Sequence, residues 1–258
     1  MKKSYLALIF CAVLIPLSAY SACVTPPDCE EIGFTMDASK CEGSFLRCPW
    51  DLNKAACKEK EVIETGAILY GDGTVSKEYP LSGKTTIGVV FDETNKLAVA
   101  LTDVKKDDSE GSEKMSWSIL LYDIPELKNC GEGASACDLS DGRANTDKIL
   151  ACGSDCGGTP AATACNLYQP SGCTKDFCKK NKWFLPTVVD LENIDKQVVV
   201  VKEILENVGG QKITHSDGYW SSNEFTGNYT WYVSIGNYII SNNAKPSSNH
   251  YVRPIVKF

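Results

Sequence analysis

The residues of this chain best able to do chemistry are its 13 cysteines. A thiol can close a disulfide, ligate a metal or attack as a nucleophile, and spacing and compartment choose among these. Cys11 lies in an N-terminal apolar run. The other twelve form two groups: Cys23, Cys29, Cys41, Cys48 and Cys57, then Cys130, Cys137, Cys152, Cys156, Cys165, Cys173 and Cys178. Cys152/Cys156 and Cys173/Cys178 lack zinc-knuckle spacing, and the two histidines, His215 and His250, lie away from both groups in sequence. Structural disulfides are therefore expected for all twelve. Each group is odd, so full pairing needs at least one bridge between the groups, with the connectivity open. No metal or cofactor is expected.

Other reactive constellations are missing. A serine or cysteine nucleophile needs a positioned base, and neither histidine sits in a recognisable motif. There is no Gly-x-Ser-x-Gly elbow, His-Glu-x-x-His or phosphate loop. Asp190 and Glu192 read as capping or solvated helix residues. The acidic stretch Asp103 to Glu113 lacks the alternating ligands of a calcium loop and reads as solvated. The expectation is a protein that is not an enzyme.

Binding chemistry is better represented. The polar stretches Asn223–Asn228 and Ser241–His250 offer amides and hydroxyls, the paired donors and acceptors that sugar hydroxyls require. The candidate ligand-binding residues are Asn223, Glu224, Asn228, Trp231, Asn242, Asn243, Lys245 and Asn249. The same residue types favour plain turns, and Trp220 and Trp231 serve equally well as core. Arg253 is expected to hydrogen-bond loop carbonyls.

These residues need elements to position them. Lys2 and Lys3, the apolar run Tyr5–Leu17 and the small residues around Ser21 read as a signal peptide over residues 1–21. Cys23 is disfavoured as a lipid acceptor because Tyr20 stands where such sites carry leucine. No later stretch is long and apolar enough to span a membrane. The net charge of −7 argues against nucleic acid. Residues 22–60 read as a Cys-rich module that needs staples. Strands are expected at Gly66–Tyr70, Ile87–Phe91 and Leu97–Leu101, with hairpin turns at Gly71–Thr74 and Asp92–Lys96. A Cys-rich insertion at about 129–181 holds one helical turn near Ala161–Tyr168. Thr187 and Asp190 form a capping box for a helix with Val188, Leu191 and Ile194 on one face. A second helix runs from about Lys196 to Asn207 and stops at Gly209-Gly210, although Val198–Val201 would suit a strand. The last strands are Tyr219–Ser222, Thr230–Ser234, Tyr238–Ile240 and Tyr251–Phe258, with Pro254 marking an edge or bulge.

The order of Trp183-Phe-Leu-Pro-Thr187, Gly218-Tyr-Trp-Ser-Ser-Asn-Glu224, Trp231-Tyr-Val233 and Tyr251-Val-Arg-Pro-Ile-Val-Lys-Phe258 resembles the Lcl-type C-terminal domains of exported bacterial proteins, named for a collagen-like adhesin. The opening block Gly66–Thr74 with its two following strands extends the resemblance over 62–258. It implies an α+β, C-type-lectin-like domain with a small twisted antiparallel sheet and two helices, its first and last strands close together, preceded by the Cys-rich module. It implies no settled catalytic residues. The calcium-dependent lectin motifs are not present, since Gln169-Pro-Ser171 has no partnering Trp-Asn-Asp. The combined expectation is an exported periplasmic, cell-surface or secreted protein that recognises a glycan or a surface protein through polar loops. The alternatives are a structural envelope protein without a small ligand or, less favoured, an extracytoplasmic enzyme.

Overall fold

The computed structural model describes residues 63–105, 114–131 and 141–258, together with two short strands nearer the N-terminus. Those strands, β1 (Phe34–Met36) and β2 (Cys57–Glu59), pair antiparallel with Phe34 opposite Glu59. They belong to one compact unit, residues 1–61, and a second unit spans Val62–Phe258. The signal-peptide expectation, the pairing of the first cysteine group and most of the acidic stretch lie outside the described residues.

Among its described residues, the second unit holds two five-stranded sheets. In the first, β3 (Ile68–Tyr70), β4 (Val75–Ser76), β5 (Thr86–Asp92), β6 (Leu97–Ala100) and β12 (Ile255–Lys257) are ordered β12-β6-β5-β3-β4, all antiparallel. In the second, β7 (Lys114–Met115), β8 (Tyr219–Thr226), β9 (Tyr229–Ser234), β10 (Ile239–Ala244) and β11 (His250–Tyr251) are ordered β10-β9-β8-β11-β7. Only β8 and β11 run parallel there. Four α-helices are described: α1 (Gly142–Cys152), α2 (Pro160–Leu167), α3 (Val188–Lys196) and α4 (Val198–Asn207).

The β5–β6 hairpin follows directly from its sequence. Asp92 Oδ1 accepts the Asn95 N–H at 2.9 Å, and Lys96 takes a left-handed φ of 56° to close the turn. Both strands are buried on both faces, which is why they read as unbroken apolar runs. Val89, Phe91, Leu97 and Val99 pack in one core with Leu191, Ile194, Val201 and Leu205 of α3 and α4. Ile87, Val90, Ala98 and Ala100 pack in another with Cys178, Trp183 and Val256. Gly88 has no substitute here, because a Cβ would lie 2.8 Å from the Val99 carbonyl oxygen.

Helix α3 carries the expected capping box in full: Thr187 accepts from the Asp190 N–H and Asp190 from the Thr187 N–H. Val188, Leu191 and Ile194 are all buried. The Val198–Val201 run is helical. Its burial follows a helical period through Val201, Leu205 and Val208, while Val199 is 76% exposed. Gly209, at φ 74°, ends it.

Three expectations need correction. A single small sheet and two helices become two five-stranded sheets and, among the described residues, four α-helices. The final strand divides because Pro254 cannot donate to a ladder. The chain leaves the second sheet at Tyr251, crosses through Val252–Pro254, and enters the first sheet at Ile255 as an edge strand. The first and last strands of the unit, β3 and β12, do share that sheet, with β5 and β6 between them. The third correction concerns Cys165. Disulfides Cys152–Cys156 and Cys173–Cys178 form, with Cα separations of 5.8 and 5.7 Å, and Cys130 is also bridged. Cys165 is a free thiol on the inner side of α2, in a core with Trp117, Ile149 and Leu185. Burial raises its thiol pKa and it acts as a small apolar residue. With one cysteine unbridged, the parity argument for a bridge between the two groups lapses.

Candidate functional site

The polar stretch Asn223–Asn228 is mostly strand, not loop. Asn223 and Glu224 lie within β8, at 3% and 0% exposure. Asn223 Oδ1 accepts the Val188 N–H at 2.9 Å, tying β8 to the first turn of α3. Glu224 pairs with Lys245, which is equally buried. Trp231 is in the core, edge-on to Phe225 at 5.0 Å. Trp220 is fully buried and donates Nε1–H to the Met115 carbonyl at 2.8 Å. Both tryptophans follow their core reading. Asn242 and Asn243 are half-buried in β10, and Asn243 Nδ2 lies 3.1 Å from His250 Nε2. Asn228 and Asn249 are exposed. Of the eight residues singled out in sequence, four are therefore buried parts of the scaffold.

Arg253 fulfils its structural reading. Nη1 donates to the Ala100 carbonyl and Nη2 to that of Lys212, each at 3.0 Å. Nε binds Asp103 Oδ1, so Asp103 is a buried counter-ion and no part of a solvated acidic loop.

The geometry favours a different place. A cleft of about 860 Å³ opens beside the β5–β6 turn, the first half of α1 and the outer side of α3. Asp92 and Asn95 come from the turn, Asp141, Arg143 and Asp147 from α1 and its cap, and Asp190 and Asn193 from α3. Asn166 and Asn181 come, like α1, from the Cys-rich insertion, Lys182 from the segment just after it, and Lys257 from β12. Leu97, Leu150, Phe184 and Val189 supply apolar lining. Several of the polar groups hold one another in place. Asp92 Oδ2 accepts from Asn95 Nδ2 at 2.8 Å, Asn166 Nδ2 donates to Asn181 Oδ1 at 2.9 Å, and Arg143 is clamped between Asp147 and the Trp183 carbonyl. Asp141 caps α1 through the Ala144 N–H at 2.9 Å. Preorganised amides and carboxylates around a small apolar lining suit a polyhydroxylated ligand. Among the described residues, no group of three or more His, Cys, Asp or Glu is placed to hold a metal. Sequence reading missed this cleft because its walls come from segments as far apart as Asp92 and Lys257, with no local pattern to join them.

Asp190 gives the cleft a measurable pH signature. Burial pushes its carboxyl up to about 6, against the lowering effect of its bonds to Thr187. The folded state therefore binds this proton more tightly than the unfolded chain. Stability falls as pH rises from about 4 to about 6, by up to about 3 kcal/mol. Asp190→Asn cannot titrate. The expected result is that the wild-type unfolding midpoint drops relative to that of the variant across this window, as read by paired thermal melts.

No family model matches the chain, the Lcl-type domain included, and no curated protein matches it. Among solved structures it is similar to a fimbrial protein from Bacteroides ovatus, with a TM-score of 0.50 and 14% identity over 78% of this chain and 50% of that one. The chain thus spans about half the length of that protein, and at this identity the likeness concerns the fold alone. The two disulfides are consistent with an exported protein, and among the described residues no helix is long and apolar enough to cross a membrane.

Proposed function

We propose that this chain is an exported surface protein that binds a glycan in the Asp- and Asn-lined cleft. The observation that carries the reading is the convergence of mutually braced amides and carboxylates on one cleft with an apolar lining. Sugar hydroxyls match such groups as simultaneous donors and acceptors, and the apolar lining suits the C–H faces of a pyranose. The likeness to a fimbrial protein supports an adhesive role at the cell surface. The ligand is held without being transformed.

A glycan array tests this directly. Wild-type protein is expected to bind a restricted set of glycans, unaffected by EDTA. Asn193→Ala and Lys257→Ala, which remove cleft side chains, are expected to weaken binding about tenfold, the effect of losing one or two hydrogen bonds. Asn249→Ala, on an exposed turn outside the cleft, is expected to bind as wild type. Silence across the array, or equal loss in all three variants, would overturn the proposal.

A further inference from the structure

Among the described residues, strand β10 forms one edge of the second sheet, with β9 as its sole strand neighbour. Lys245 N–H donates to the Asn228 carbonyl in line with the β9–β10 register, so odd-numbered residues turn their main-chain groups toward β9. The even-numbered residues turn theirs outward. Ala244 is satisfied locally by Asn243 Oδ1 and the Ser247 N–H. Ile240 and Asn242 remain, and their main-chain N–H and C=O groups face away from β9 with no partner among the described residues.

Edges of this kind are ordinarily protected by charge, proline or a bulge. The six residues Ile-Ile-Ser-Asn-Asn-Ala contain no charge and no proline, and they pair with β9 without a register shift. The opposite edge, β7, is only two residues long and carries Lys114 in an ion pair with Asp217. Beside the open edge, Tyr238, Ile239 and Ile240 are 73%, 50% and 39% exposed.

We propose that β10 pairs antiparallel with β10 of a second copy of this chain. The strand is complementary to itself. With the two-fold axis at Ser241, Ile240 exchanges main-chain hydrogen bonds with Asn242 of the second copy, and Asn242 with its Ile240. The two Ile240 side chains meet diagonally across the axis, and the two Ser241 residues stand opposite each other. Each chain has net charge −7, and this neutral strand lets two like-charged copies approach without direct repulsion at the contact. The result is one continuous sheet across both copies, which would double the number of ligand clefts on one particle. Strand-edge contacts bury little surface, so dissociation on the order of micromolar is expected.

Sedimentation velocity on the full chain, purified after export, is the test. Wild-type protein is expected to move from the monomer mass to twice that mass as concentration rises. Ile240→Pro deletes an outward donor and leaves the β9 ladder intact, so it is expected to stay monomeric. Ser241→Lys and Ser241→Asp each place like charges on the axis and are also expected to be monomeric. Their equimolar mixture is expected to regain the doubled mass, which shows that both variants are folded. A wild type that stays monomeric, an Ile240→Pro variant that dimerises like wild type, or a mixture that stays monomeric would overturn the proposal.

Discussion

Arg253→Ala is expected to remove about 3–5 kcal/mol of folding stability, the cost of stranding a buried charge. A typical domain holds only about 5–15 kcal/mol, so the loss is a large share of the total. The reason is the position of Asp103. Both side chains of the pair are fully buried, and Arg253 Nε supplies the counter-charge to Asp103 Oδ1. The Tyr219 hydroxyl at 3.5 Å and His215 Nε2 at 3.6 Å reach only the other carboxylate oxygen. Burial alone would lower the guanidinium pKa, but Asp103 and Tyr219 outweigh it and hold it above its ordinary value. The same side chain binds the carbonyls of Ala100 and Lys212, so it joins the end of β6 to the segment before β8 at the point where the chain crosses between the sheets. Arg253→Lys keeps the charge and loses the fork, and is expected to fall between wild type and alanine. Arg253→Met with Asp103→Leu removes both charges and is expected to recover much of the loss. Thermal unfolding reads the series, with a shift on the order of 10 °C for the alanine variant. An alanine variant as stable as wild type would show that Asp103 needs no counter-ion.

What the sequence revealed of this molecule depended on distance along the chain. The capping box was legible because Thr187 and Asp190 are three residues apart and their bonds close within one turn. The β5–β6 hairpin was legible because its turn residues and both strands form one contiguous block. Arg253 was read correctly for a general reason: an arginine flanked by apolar residues and followed by proline has carbonyls as its nearest partners. Asn223 and Glu224 were misread because polarity within a strand mimics a loop. Their partners, Val188 and Lys245, lie 35 and 21 residues away, and nothing local announces them. Cys165 was misread for a related reason, since a thiol packed beside Trp117 and a thiol awaiting a bridge have the same letter. The cleft could not be read at all, because it exists only after α1, α3, the β5–β6 turn and β12 have come together.

The Glu224–Lys245 pair makes the second large prediction, and here pH decides its size. All three Lys245 donors are used, on Glu224 Oε1, the Tyr122 carbonyl and the Gly227 carbonyl, and the ammonium lies 4.8 Å from the Trp117 ring centre. Glu224 is less well served. Its Oε1 also accepts the Ile124 N–H at 3.1 Å, while Oε2 is buried without a partner among the described residues. Burial accordingly pushes the Glu224 carboxyl up to about 7 and the Lys245 amine down, in each case against the attraction of the other. Lys245→Met removes the attraction and leaves the burial. At pH well above 7 the lone carboxylate must either stay ionised in the core or take up a proton at a cost, and the expected loss is about 3–5 kcal/mol. At pH near 5 the folded variant already holds Glu224 neutral, as burial favours, and the expected loss is smaller. The sign follows from linkage: a raised carboxyl pKa means that the folded state binds the extra proton, so the stability of the variant falls as pH rises. Glu224→Gln with Lys245→Met keeps an acceptor for the Ile124 N–H and titrates at neither position. It is expected to be flat over the same range and more stable than Lys245→Met above neutrality. The local consequence is separable from the global one. Lys245 holds the Tyr122 carbonyl; Ile119 and Leu120 are tied through their N–H groups to the Gly158 and Cys156 carbonyls, whereas Leu121 is 54% exposed. Amide hydrogen exchange in Lys245→Met is therefore expected to accelerate first at Leu121–Ile124, before the sheets open. Uniform acceleration across the unit, or a loss independent of pH, would show that the lysine contributes packing rather than charge.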